Sequence, residues 1–224
     1  MHIHTNTYAW MITFLILNCC IGCVERVEDK YAKYRMETDL DRYEYGVDML
    51  LESLGENDNY LSRYAAAEEL GLYSLNNNNG ARDILLAKAV PKLVEALENE
   101  RAPLVRASII NALGEMKPDL DIVLHAYTTV IREGVGAEVV RAIDNFKSYD
   151  YDLSELVPVV VMKLESKEPA DRRSAIEALG RMGRYAYSVI GKIEEAKRKD
   201  PALEYIVDQA IKDIKQDYDR HKIP

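Results

Sequence analysis

The residues of this chain that could do chemistry are few and far apart. Its cysteines are Cys19, Cys20 and Cys23, so no thiol lies beyond position 23. Its histidines are His2, His4, His125 and His221. Nucleophilic catalysis needs a base held beside a nucleophile; His125, between Leu124 and Ala126, stands alone in its part of the chain. No His/Cys cluster has the spacing of a zinc site. Three Asp-x-Asp pairs, Asp39/Asp41, Asp119/Asp121 and Asp150/Asp152, offer the oxygen ligands that hard cations take, but none sits in a calcium-type loop with its central Gly and closing Glu. All three fall at predicted helix starts, where carboxylates cap amides and oppose the helix dipole. The expectation is no catalytic residue, no metal site and no cofactor.

The elements around these residues divide by charge. The chain has 224 residues and a formal net charge of −9. Residues 1–23 carry no Asp, Glu, Lys or Arg; residues 25–58 carry 11 acids and 5 bases; the rest is nearly balanced. Nucleic-acid binding led by bulk charge is disfavoured, because phosphate contacts need a basic face. A disulfide-framed body is excluded by the absence of cysteine after Cys23. The run Tyr8-Ala9-Trp10-Met11-Ile12-Thr13-Phe14-Leu15-Ile16-Leu17, continued to Val24, suits a signal-peptide core or a short membrane span. The domain reading is a signal peptide or anchor over 1–23, an acidic helical neck over 24–45 and a repeat domain over 46–221.

The repeat rests on segments that overlay. Arg63-Tyr64-Ala65-Ala66-Ala67-Glu68-Glu69-Leu70-Gly71, Arg106 to Gly114, Val139 to Phe146, Arg172 to Gly180 and Val207 to Ile214 share one pattern. Their anchors Leu70, Leu113, Phe146, Leu179 and Ile214 are spaced 43, 33, 33 and 35 apart. The run Asn76-Asn77-Asn78-Asn79-Gly80 predicts a loop that lengthens the first interval. A second register, Leu54, Leu97, Val130 and Leu164, lies 15 or 16 residues before the anchors. Two helical segments per period predict an all-α fold, an α-solenoid of about five antiparallel helix pairs behind a hydrophobic leader. Gly71, Gly114 and Gly180 follow their anchors as C-caps or close-packing points. Pro91 and Pro158 suit the start of second helices, about 88–98 and 156–166, and Asp121 and Asp152 suit N-caps. Tyr73, Tyr149, Tyr151, Tyr185 and Tyr187 fall near intra-repeat turns, where they serve packing or contact.

Two resemblances sharpen this. Ile21-Gly22-Cys23 resembles the lipobox of prokaryotic lipoproteins, which implies cleavage before Cys23 and lipidation there; an uncleaved anchor is the alternative. Val105-Arg106 with Ala112-Leu113-Gly114, and Arg172 with Ala175 and Ala178-Leu179-Gly180, resemble HEAT repeats of the phycobilisome-lyase-like subtype over residues 45–216. That resemblance implies a HEAT-like superhelix whose second helices line a concave face. It implies a structural ladder of Arg63, Arg106 and Arg172 with acids such as Asp58, Glu100 and Asp171. It also implies a protein or peptide partner bound by Lys92, Glu95, His125, Arg132, Lys163 and Lys192. The expected function is a non-enzymatic, monomeric, membrane-tethered scaffold or adaptor. It would sit on the extracytoplasmic side of a prokaryotic envelope and bind no nucleic acid. The alternative is a HEAT-like lyase-type enzyme or enzyme accessory subunit.

Overall fold

The structure, a computed structural model, describes residues 39–56, 59–75 and 79–222. Among these residues every regular element is helical and none is a strand. The chain divides into two compact units, Met1–Gly46 and Val47–Pro224. The first is described only in the opening turns of helix α1 (Asp39–Glu56). The leader, Cys23 and residues 24–38 of the neck lie outside the described residues.

In the second unit, α2 spans Tyr60–Tyr73 and is capped by Asn59, whose side chain accepts from the Leu61 amide at 3.0 Å. Next come α3 (Asn79–Ile84), a π-helical turn (Leu85–Ala89) and α4 (Val90–Asn99). The predicted loop over 76–80 is therefore corrected on its described side: Asn79 and Gly80 open a helix that runs on into α4. The π turn has a cause. Pro91 lacks an amide and its ring would strike the Ala87 carbonyl, and a widened turn relieves both.

Four more first-type helices follow the same design: α5 (Pro103–Met116), α7 (Ala137–Ser148), α9 (Pro169–Met182) and α11 (Glu204–His221). Between them lie α6 (Leu120–Glu133), α8 (Val157–Met162) and α10 (Ile190–Lys199). Pro103 and Pro169 each open a helix, where a missing amide costs nothing. Helix α5 stops at Lys117, in the left-handed region at φ 45°, and α9 stops at Gly183, at φ 59°, a conformation glycine adopts without strain. Helix α6 begins at Leu120, two residues earlier than an Asp121 cap requires, so Asp119 is its cap residue and Asp121 sits in its first turn. Asp152 accepts from the Ser154 amide at 2.9 Å, but the cap residue of the short 3₁₀ turn Ser154–Leu156 is Leu153, so Asp152 stands one residue before it.

The helices pack in sequence. In one row, α2 packs on α5, α5 on α7, α7 on α9 and α9 on α11. In the other, α4 packs on α6 and α6 on α8, and α8 meets the 3₁₀ segment Gly183–Val189 that leads into α10. Each second-row helix also packs on the first-row helix that follows it. The anchors Leu70, Leu113, Phe146, Leu179 and Ile214 are all fully buried, and each such side chain contributes roughly 1.5–3 kcal/mol of hydrophobic stabilisation. Three residues before each anchor stand Ala67, Ile110, Ile143 and Ile176, buried, and then Ile211, which is half-exposed on α11.

The glycines after the anchors are not caps; they lie inside the helices and give clearance. A Cβ on Gly71 would come within 3.3 Å of the Ala112 Cα, and one on Gly180 within 3.0 Å of the Ala210 Cα. A Cβ on Gly114 would run into the Asn145 side chain, which donates to the Ile110 carbonyl at 2.8 Å and the Tyr127 hydroxyl at 3.2 Å. In α7 the pattern lapses twice. Val139 stands where α2, α5 and α9 have Arg, and Lys147 where the same three have Gly; the end helix α11 has Val207 and Lys215 there.

Candidate functional site

The three repeated arginines form rungs between successive first-row helices. Arg63 meets the Glu100 carboxylate at 2.6 and 3.1 Å. Arg106 meets Glu138 at 2.5 and 2.8 Å and also donates to the Glu100 carbonyl at 2.9 Å. Arg172 meets Asp200 at 2.8 Å and donates to the Ser166 and Lys167 carbonyls. The guanidinium groups of Arg106 and Arg172 thus tie the end of the preceding second-row segment to an acid of the next repeat, and that of Arg63 reaches the acid Glu100 ahead of α5. The partner of Arg172 is Asp200, not Asp171; Asp171 instead accepts from the Ser166 hydroxyl at 3.0 Å. Asp58 lies outside the described residues.

The electrostatics follow the rungs. Burial alone would raise the Glu100 carboxyl, but Arg63 and the amides of Ala102 and Arg101 hold it below its ordinary value. Arg172 holds Asp200 below its ordinary value in the same way. The Glu138 bond keeps Arg106 charged more firmly than usual. These cations and acids are spent on architecture.

The residues predicted to bind a partner have separate fates. Lys92 and Glu95 pair with each other at 2.8 Å on the exposed face of α4. His125 and Arg132 are exposed on α6, and Lys192 on α10. Lys163 departs from the expectation. It is half-buried, and its ammonium donates to the Arg132 and Gly134 carbonyls at 3.1 and 2.6 Å. The physical reason is the Val139 lapse. Without an arginine on α7, the carbonyls that end α6 need another cation, and Lys163 reaches them from the next second-row segment. Burial lowers its pKa, and Asp171 and Glu138 partly offset that.

Four of the turn tyrosines make local contacts, Tyr187 while remaining exposed. Tyr149 donates to the Pro118 carbonyl at 2.7 Å, Tyr151 stacks on Phe146 and Tyr187 stacks on Tyr218. Arg184 lies over the Tyr185 ring. An open groove of about 690 Å³ runs between α10 and α11, floored by Val207 and Ile211 and rimmed by Arg198, Lys212 and Lys215. Lys197 in its wall is taken by Glu204 and Asp208 at 3.1 and 2.9 Å. Among the described residues no group of three His, Cys, Asp or Glu side chains is placed to hold a metal ion.

Sequence reasoning missed the rung acids Glu138 and Asp200, because they sit at different distances from their arginines, 32 and 28 residues on. No family model, curated protein or solved structure matches the chain.

Proposed function

We propose that the chain is a non-enzymatic, membrane-tethered scaffold built as a HEAT-like α-solenoid of about five antiparallel helix pairs. Its second-row helices form the concave face and take an extended polypeptide partner. The chain acts as a monomer at the extracytoplasmic face of a prokaryotic membrane, held by lipid on Cys23 or by the leader itself.

One observation carries this reading. The repeated arginines and their acid partners are consumed as rungs, while the second-row face keeps exposed residues of both charges, among them Lys92, Glu95, Arg132 and Lys192. An enzyme draws perturbed groups together in one cleft; here Glu69, Tyr149, Lys163 and Lys197, whose pKa values all shift, lie on different helices and segments. A broad face of mixed charge binds by summed contacts rather than by a deep pocket.

The test is photo-crosslinking in living cells from residues placed at Lys92, His125 and Lys192, with Gln209 on the first-row helix α11 as the comparison. The same polypeptide adduct from the three second-row positions, and not from Gln209, is the expected result. Small-molecule turnover by the purified chain with no adduct from any position would sink the scaffold reading. The tether is tested by Cys23→Ala, which removes the lipid mass and releases the chain if Cys23 is lipidated. A variant of unchanged modification state that stays on the membrane rules lipidation out.

A further inference from the structure

The starts of the first-row helices carry an exposed apolar row that the scaffold reading leaves unused. Nine residues before each anchor stand Leu61, Leu104, Ala137, Ala170 and Tyr205, and all five are exposed. Leu61 is 53% exposed, Leu104 52% and Tyr205 77%. Exposed first-turn positions normally favour acids, which complement the helix dipole, so apolar residues at this one offset in every helix run against local chemistry. Tyr60, Val135 and Met162, all exposed, add to the same edge, where each repeat hands over to the next.

We infer that this edge is a lipid-contacting surface, whose Leu61, Leu104 and Tyr205 insert into the interfacial region of an uncharged bilayer. The occupant follows from three features. First, neighbouring packed helices stand roughly 8–10 Å apart, so Leu61 and Leu104 are single prongs on adjacent first-row helices, and Tyr205 is a third beyond the small residues Ala137 and Ala170. A fluid surface accommodates such spacing without a matching groove. Second, the charges flanking the prongs are of both signs, Arg101 and Lys167 beside Glu133 and Glu168, all exposed, so anionic headgroups are not selected. Tyrosine suits the boundary between headgroup and hydrocarbon, with an apolar ring and a polar tip. Third, the apolar leader ends at Val24 and α1 begins at Asp39, and a chain of that length reaches at most about 50 Å. The inference rests on the tether reading in that last respect alone.

The test uses the full chain carrying Trp10→Phe and a single new tryptophan, mixed with phosphatidylcholine vesicles containing a doxyl-labelled lipid. Leu104→Trp reports the edge. Leu75→Trp reports the opposite end of α2, some 20 Å away along the helix axis, where Leu75 is also exposed. A blue shift and quenching for Leu104→Trp, with neither for Leu75→Trp, is the expected result. Vesicle flotation of both chains with both tryptophans unquenched would overturn the edge and leave the tether standing. Equal quenching of the two would also overturn it, since no particular edge would then face lipid. Failure of the chain to float with vesicles at all refutes both.

Discussion

Replacing Arg106 with alanine is the sharpest probe of how the repeats are held in register. Its partner Glu138 has a side chain with no solvent exposure, and that carboxylate is bonded to Nε and Nη2 of Arg106 and to the Val135 amide at 2.7 Å. Without the guanidinium, one amide remains to a buried charge. Two bonds to charged groups are lost, each about 1.5–3 kcal/mol, and breaking a buried pair from one side costs ~3–5 kcal/mol. Arg106→Ala should therefore cost ~3–5 kcal/mol. Arg172→Ala removes a rung of the same design, but there the two side chains are 21% and 27% exposed and water can replace the lost bond, so about 1 kcal/mol is expected. Removing both sides of the buried pair, as Arg106→Met with Glu138→Leu, leaves no orphan charge and should fall within about 1 kcal/mol of the parent chain. Urea unfolding followed by far-UV circular dichroism measures all three through their midpoints. Equal losses for Arg106→Ala and Arg172→Ala, or a double variant worse than the single, would refute the argument that burial sets the strength of a rung.

Two further outcomes follow from local geometry. Gly180→Ala should cost roughly 1–3 kcal/mol, because the added methyl meets Ala210 backbone at 3.0 Å; Gly191→Ala, with nothing within 4 Å, should gain roughly 0.5–1 kcal/mol, and thermal unfolding reads the opposite signs. Burial raises the Glu69 carboxyl above its ordinary value of 4.5, so ionising it opposes folding. Glu69→Gln should match the parent below pH 4.5 and become the more stable of the two as pH rises through the raised value, which urea midpoints across that range would detect. Glu100 runs the other way: its lowered carboxyl stabilises the fold above 4.5, and that stability is lost as pH falls through the depressed value.

The rows of helices were legible because the signal is local. Leu70, Leu113, Phe146, Leu179 and Ile214 mark burial through spacing within one helix, and all are buried. The same spacing placed Leu54, Leu97, Val130 and Leu164, all buried too. What was not legible depends on a neighbour in space. The partner of Arg106 is buried because Val139 and the residues after it pack, not because of any property of Glu138 in sequence. Lys163 reads as one more exposed lysine until the vacancy left by Val139 is seen. The Asn-rich run reads as loop through Gly80, yet its last two residues open a helix that continues through Leu85–Ala89 into α4. The apolar edge was present as a fixed offset: nine residues are about two and a half turns, which puts Leu61 and Leu104 on the face opposite their buried anchors, but the spacing says nothing of what such an outward apolar row meets.

The end helix α11 also has Val207 and Lys215 at these two positions, but α7 is the one helix with a following first-row neighbour that shows both lapses, and that has a mechanical meaning. The seam between α7 and α9 lacks the glycine clearance of the other first-row contacts and replaces a forked guanidinium with the single ammonium of Lys163. Where helices pack mainly on their neighbours in the row, the load passes from one to the next and parts at the weakest joint. A chain pulled from its ends should therefore yield between Ser148 and Pro169 first, giving two blocks that each stay folded for a time. The two blocks should also differ in amide exchange, so that the molecule behaves as a pair of short springs in series and not as one rod.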